Sequence, residues 1–214
     1  MPENLVLLHG FSGTRRAWDG VIERLDPERY LPLALDLPGH GEAVDAERPI
    51  TFEGCAEAVL AEAPERFALC GYSMGGRVAL ALTLAHPALV RSLVLVSTFA
   101  SPPRRSWSRW VLLRVVPRVF GQYGSRAYPQ PYYAFQRQRE ASGSYDCSRR
   151  LGEIAVPTLI LHGTRDRVAP FRLAQEMHAG IRGSRLVPFP GGHIFFFLRM
   201  RQFVETVLGF LATV

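Results

Sequence analysis

The stretch Phe67-Ala68-Leu69-Cys70-Gly71-Tyr72-Ser73-Met74-Gly75-Gly76-Arg77 decides how this chain is read. Its first six residues form an apolar run of strand length. The small residues after Ser73 keep helical spacing to about residue 85, short of Pro87. At the junction, Gly71-Tyr72-Ser73-Met74-Gly75 matches G-x-S-x-G, a pattern that carries meaning between a strand and a helix. So abrupt a turn forces strained backbone angles on the serine and exposes its hydroxyl at the edge of a sheet. Glycines on either side lack the Cβ atoms that would collide across it. The helix N-terminus beneath offers unpaired N–H groups and the positive end of a dipole. Ser73 is the expected nucleophile. A glycine-rich turn without chemistry is the bland alternative, and the two flanks make it the weaker one.

Working outward, the same alternation recurs. Strands are expected at 5–9, 31–37, 67–72, 92–97, 158–162 and 185–189, with helices near 14–25, 52–62, 74–85, 170–179 and 194–212. Thr51 reads as an N-cap, its hydroxyl accepting from exposed backbone N–H groups. This order implies an α/β fold with a mostly parallel sheet of about six strands and helices on both faces. Residues 99–150 break the pattern, being rich in Arg, Pro, Tyr and Trp, with helical stretches near 106–116 and 131–141. The expected organisation is a core of residues 1–98 and 151–214, with 99–150 inserted as a short helical cap over the carboxyl ends of the strands.

An elbow serine needs a base, and the base needs an acid, in the chain order Ser, acid, His. Of six histidines, His9, His40, His86 and His162 precede the candidate acid, and His178 sits in a helical pattern. His193 follows a strand in a Pro190-Gly191-Gly192 turn that can carry a side chain over the strand ends. Of six acids after Ser73, only Asp166 directly follows a strand, in Leu161-His162-Gly163-Thr164-Arg165-Asp166. From there it can orient His193 and stabilise the imidazolium. Arg165 and Arg167 leave an ordinary ion pair open as its role. The oxyanion of such a reaction would be met by the backbone N–H of Met74 and by one from Leu8-His9-Gly10-Phe11, with Phe11 the candidate.

Leu8-His9-Gly10-Phe11-Ser12-Gly13, Asp36-Leu37-Pro38-Gly39-His40-Gly41, Gly71 to Arg77, the Asp166 loop and Gly191-Gly192-His193 together resemble the α/β-hydrolase superfamily over nearly the whole chain. The resemblance implies an α/β-hydrolase fold and a cofactor-free serine hydrolase. It would cleave small or medium carboxylic esters through an acyl-enzyme. The wording is similar to small carboxylesterases and also to the menaquinone-pathway enzymes that eliminate pyruvate to form 2-succinyl-6-hydroxy-2,4-cyclohexadiene-1-carboxylate. Arg77 falls at an arginine position of that second group, so a lyase acting on a polycarboxylate is the alternative. Two features depart from the family. The usual opening hairpin is missing before the His-Gly loop, which is reached by residue 9, and the cap is short.

Charge is unevenly spread. The net charge is +6, yet residues 101–150 hold ten arginines against two acids, a net of +8, and the rest of the chain is at −2. There is no lysine. A solvated face and a field drawing anionic substrates both fit, whereas no nucleic-acid-binding motif accompanies the charge. Arg77, Tyr72, Trp110 and Tyr132 are the expected substrate contacts. The aromatics Trp107, Trp110, Tyr128, Tyr132, Tyr133 and Phe135, with Phe195 and Phe196, either line an apolar pocket or seat the cap. Cys55, Cys70 and Cys147 show no C-x-x-C spacing, which predicts free thiols in a reduced compartment and no metal site. No secretory-signal pattern and no apolar run of about 18 residues is present. The expectation is a soluble cytoplasmic protein, monomer or homodimer, acting on a small molecule without nucleic acid or membrane as partner.

Overall fold

The computed structural model describes residues 2–44, 50–102 and 130–214. Among these, six strands form one parallel sheet: β1 (Glu3–Leu8), β2 (Tyr30–Leu35), β3 (Phe67–Tyr72), β4 (Val90–Val96), β5 (Thr158–Gly163) and β6 (Arg185–Phe189). Their order across the sheet is β2-β1-β3-β4-β5-β6. The described helices are α1 (Asp19–Ile22), α2 (Phe52–Leu60), α3 (Met74–Ala85), α4 (Tyr132–Ser144), α5 (Phe171–Gly180), α6 (Phe195–Leu198) and α7 (Met200–Leu211).

Strand side chains alternate between faces, and the sequence supplies apolar residues for both. Val6, Leu8, Leu69 and Leu95 face α2, α3 and α5, packing with Phe52, Val59, Val78, Leu82 and Met177. Leu5, Leu7, Cys70 and Val94 face the other way, onto Trp18, Val21, Phe196, Phe203 and Val207. Each such side chain, fully buried, contributes about 1.5–3 kcal/mol. Thr51 caps α2 as expected, its Oγ1 accepting from Gly54 N–H at 2.9 Å.

Two helices differ from expectation. The stretch 14–25 folds as a 3₁₀ turn, Arg15–Trp18, followed by the short α1, with no side-chain cap from Thr14. The tighter turn delivers Trp18 into the core, fully buried against Phe196 and Phe203. The stretch 194–212 breaks at Arg199, which leaves helical geometry at φ −130° while its Nε donates to Pro190 O at 2.9 Å. That break lets Phe195 and Phe196 on one side and Phe203 on the other meet in one aromatic cluster. The helix expected near 106–116 lies outside the described residues.

Strand order places the site. From β1 the chain moves outward to β2, then returns to β3 on β1's other side. The loops after β1 and β3 therefore diverge at the carboxyl edge and open a crevice, the usual ligand position in such sheets.

Candidate active site

Ser73 sits at that edge with φ 53° and ψ −110°, a strained conformation for a residue with a side chain. The surroundings enforce it. Ser73 N–H donates to Val96 O at 2.8 Å, and Ser73 O accepts from Gly76 N–H at 3.1 Å and from Thr98 Oγ1 at 2.7 Å. A Cβ on Gly71 would stand 2.4 Å from Gly75 O, and one on Gly75 would stand 2.4 Å from Leu8 O. The elbow tolerates no side chain at either position.

The structure brings the three residues expected as a triad into one hydrogen-bonded line. His193 Nε2 lies 2.9 Å from Ser73 Oγ and Nδ1 lies 2.7 Å from Asp166 Oδ2. With Nδ1–H donating to the carboxylate, Nε2 is the acceptor for the serine proton. Backbone bonds from Thr164 N–H to Phe189 O and from Arg165 N–H to Gly191 O tie the Asp166 loop to the His193 turn. Asp166 Oδ1 accepts from Val168 and Ala169 N–H at 2.8 and 2.9 Å. Burial alone would raise the Asp166 carboxyl. Bonds from His162, His193 and Ala169, with the charge of His193, outweigh it and hold the group well below the usual carboxylate range. Among the described residues the ion-pairing partners of Asp166 are His162 and His193, not Arg165 or Arg167.

The loop after β1 closes on the nucleophile. A Cβ on Gly10 would stand 2.7 Å from the Tyr72 ring and 3.3 Å from Ser73 Cβ. Among the described turn and loop backbone bonds, none engages the N–H of Phe11 or Met74. Met74 directly follows Ser73 and Phe11 directly follows Gly10, so both amides remain candidate oxyanion donors.

The expected substrate contacts fare differently. The Tyr72 ring packs beside His193 and Phe196, centroids 5.4 and 4.8 Å apart, and is nearly buried. Arg77 is buried in α3. Its guanidinium donates to Ser142 O and Oγ at 2.9 Å and to Tyr145 O, and lies over the rings of Phe52, Phe99 and Tyr145. These partners belong to the end of α4 and to the core, not to the Ser73 line. Position alone had put Arg77 near the substrate, and its burial was not visible in the sequence. Trp110 lies outside the described residues, as does the side chain of Tyr132.

Other residues of the site escaped the sequence reading. His162, fully buried, donates from Nε2 to Ala169 O at 2.7 Å and stands 3.4 Å from Asp166 Oδ2. Thr98 holds the Ser73 carbonyl from the end of β4. Ser12, Gln130 and Gln138 join the β1 loop to α4. His162 was legible in principle, because it shares the strand-end stretch with Asp166; the others depend on contacts distant in sequence.

The chain belongs to the α/β hydrolase family, whose model matches residues 5–206. Among curated relatives, a pimeloyl-[acyl-carrier protein] methyl ester esterase of Nitrosomonas europaea is 30% identical, covering 94% of this chain and 93% of the relative. A protein of the same name from Neisseria meningitidis serogroup A is also 30% identical, over 97% of this chain and 80% of the relative. In fold the chain is similar to the enol-lactonase from Burkholderia xenovorans, with TM-score 0.86 and 24% identity over 99% of this chain and 92% of that one. It is also similar to MenH from S. aureus, with TM-score 0.79 and 26% identity over 99% and 93%.

Proposed function

We propose that this protein is a serine carboxylic-ester hydrolase working through Ser73, His193 and Asp166. The observation that carries the reading is the continuous hydrogen-bonded line from Asp166 through His193 to a strained elbow serine. Ser73 Oγ attacks the ester carbonyl carbon while its proton passes to His193 Nε2, and Asp166 stabilises the imidazolium. The N–H groups of Phe11 and Met74 meet the developing oxyanion, each worth about 2.7–4 kcal/mol in such sites. His193 then returns the proton to the leaving alkoxide. Water, activated by the same base, releases the acyl group and restores Ser73. No cofactor enters this chemistry.

The relatives' shared name supports a narrower substrate, the methyl ester of an acyl chain held on a carrier protein. The arginines of residues 101–150, at net +8, suit an acidic partner of that kind. We read residues 99–150 as the cap that would present this charge. The pyruvate-eliminating alternative, which leaned on Arg77 and the cationic residues 101–150 meeting a polycarboxylate, has less support: the curated relatives share an ester-hydrolase name, and Arg77 is buried with bonds to Ser142 and Tyr145.

A side-by-side assay tests the reading, with p-nitrophenyl butyrate, a carrier-bound methyl ester and the menaquinone-pathway intermediate. Ester turnover is expected. Salt raised from about 50 to 500 mM should slow only the carrier-bound substrate, because screening removes steering of a charged partner. Fast pyruvate elimination with negligible ester turnover would overturn the assignment.

A further inference from the structure

Two contacts join α4 and the residues just before it to the loop after β1, and a third joins α4 to His40 in the loop after β2. Ser12 Oγ donates to Gln130 Oε1 at 2.7 Å. The Phe135 ring meets Phe11 edge-on, centroids 5.2 Å apart. Gln138 is buried, accepts from Gln130 Nε2 at 2.6 Å and offers its own Nε2 to the His40 ring at 2.9 Å.

The Gln138 amide nitrogen lies 2.9 Å from both ring nitrogens of His40, and the Gln130 amide nitrogen lies 3.1 Å from Nε2. His40 Nδ1 lies 3.2 Å from Leu37 O, which makes Nδ1 the donor and leaves Nε2 to accept from the amide. Burial, then the neighbouring His9, push the His40 imidazolium well below its ordinary range, so the ring is neutral. Side chains joined in a buried polar network of this kind restrain one another's positions.

That arrangement bears on the reaction through the Gly10–Phe11 peptide. A trans peptide is planar, so its C=O and N–H point in opposite directions. Gly10 O is held from one side by His9 Nδ1 at 2.8 Å and by Gly13 N–H at 3.0 Å. Beyond Phe11, Ser12 has φ 55°, a left-handed conformation that a side-chain-bearing residue keeps only with outside support. Gln130 holds the Ser12 hydroxyl, and Phe135 rests on the Phe11 side chain. The aim of the Phe11 N–H is thus set on one flank by the core and on the other by α4.

We propose that Gln130 and Gln138 are positioning residues for the Phe11 oxyanion donor, so that docking of α4 tunes the reactivity of Ser73. This rests on the serine-esterase reading above. The experiment compares Ser12→Gly, Gln130→Ala and Gln138→Ala with the exposed-face control Glu140→Ala. Glycine accepts φ 55° freely, so Ser12→Gly removes the hydroxyl without adding strain. The readouts are kcat and KM on p-nitrophenyl butyrate, melting temperature, and Ki for a trifluoromethyl ketone. In that adduct Ser73 Oγ bonds the carbonyl carbon, its proton passes to His193, and the ketone oxygen becomes the oxyanion.

The three network variants should lose about tenfold or more in kcat with KM within about twofold, and Ki should rise in parallel. Glu140→Ala should match wild type. Network variants that melt earlier but keep wild-type kcat and Ki would overturn the proposal, since a merely structural role moves only the melting temperature. Should Ser73→Ala be dead while the network variants stay fully active, the esterase reading stands and only this proposal falls. A wild type that neither turns over esters nor binds the ketone would overturn both.

Discussion

The β3–α3 elbow and the loop after β1 face each other across the same crevice, yet they are held by different means. At the elbow the described restraints are mostly backbone: Val96 O, Gly76 N–H and two glycine gaps, with the Thr98 side chain beside them. In the β1 loop they are side chains, several from far along the chain, such as Gln130 to Ser12 across 118 positions. A backbone-built turn leaves a compact signature in the sequence. A side-chain-built one leaves almost none. The contrast also assigns consequences: damage at the elbow should remove the reaction, and damage at the docking face should only weaken it.

The largest effect should come from Ser73→Ala, which removes the group that forms the acyl-enzyme. A loss in kcat of up to about 10⁶-fold is expected with p-nitrophenyl butyrate. A variant keeping a tenth of wild-type activity would take Ser73 out of the mechanism. His193→Ala should be nearly as damaging, whereas His178, on exposed α5 and bonded to Ser184, should tolerate alanine with little change. Equal losses for both histidine variants, both folded, would break the assignment of the base.

Asp166→Asn comes next. It keeps the shape but no longer favours the Nδ1–H tautomer of His193, and about 10⁴-fold is the typical loss. The depressed carboxyl also fixes a sign. A group whose folded pKa lies below its unfolded value adds stability above the unfolded value, and that stability is lost as pH falls through the folded one. For Asp166 the loss falls at strongly acidic pH, so the residue stays ionised wherever the enzyme is assayed. The acid limb of log kcat/KM should accordingly rise with a slope of about one, from one proton. A slope of about two would mean that Asp166 titrates with the base.

Stability effects sharpen the comparison at smaller scale. Gly71→Ala forces a Cβ against backbone and should cost about 1–3 kcal/mol or more, read by chemical denaturation. Arg77→Ala removes the guanidinium from the Ser142 and Tyr145 carbonyls, where one charged hydrogen bond is usually worth about 1.5–3 kcal/mol. The folded fraction should keep ester turnover within about tenfold of wild type, since the described partners of Arg77 lie at the end of α4 and among core rings. A collapse of kcat with unchanged stability would return Arg77 to the substrate.

Legibility followed the same division. All six strands lie within two residues of their expected places, because apolar runs of strand length alternate with helical spacing along the chain. The residues brought to Ser73 were legible too, since each ends a strand or sits in a glycine turn at the carboxyl edge. Hidden were the residues whose partners come from distant segments: Gln138 under His40 and the burial of Arg77 among three rings. The broken helices at 14–25 and 194–212 belong with these, because packing of Trp18 against Phe196 and Phe203 decided them over local propensity.

The central claim, that Ser73 is acylated during turnover, is tested most directly by rapid-quench mass spectrometry of wild-type protein mixed with p-nitrophenyl butyrate. The account predicts one butyryl group per chain in the first turnover, carried by the peptide containing Ser73 and absent from Ser73→Ala. Steady ester turnover with no adduct, or with the butyryl group on another residue, would contradict it.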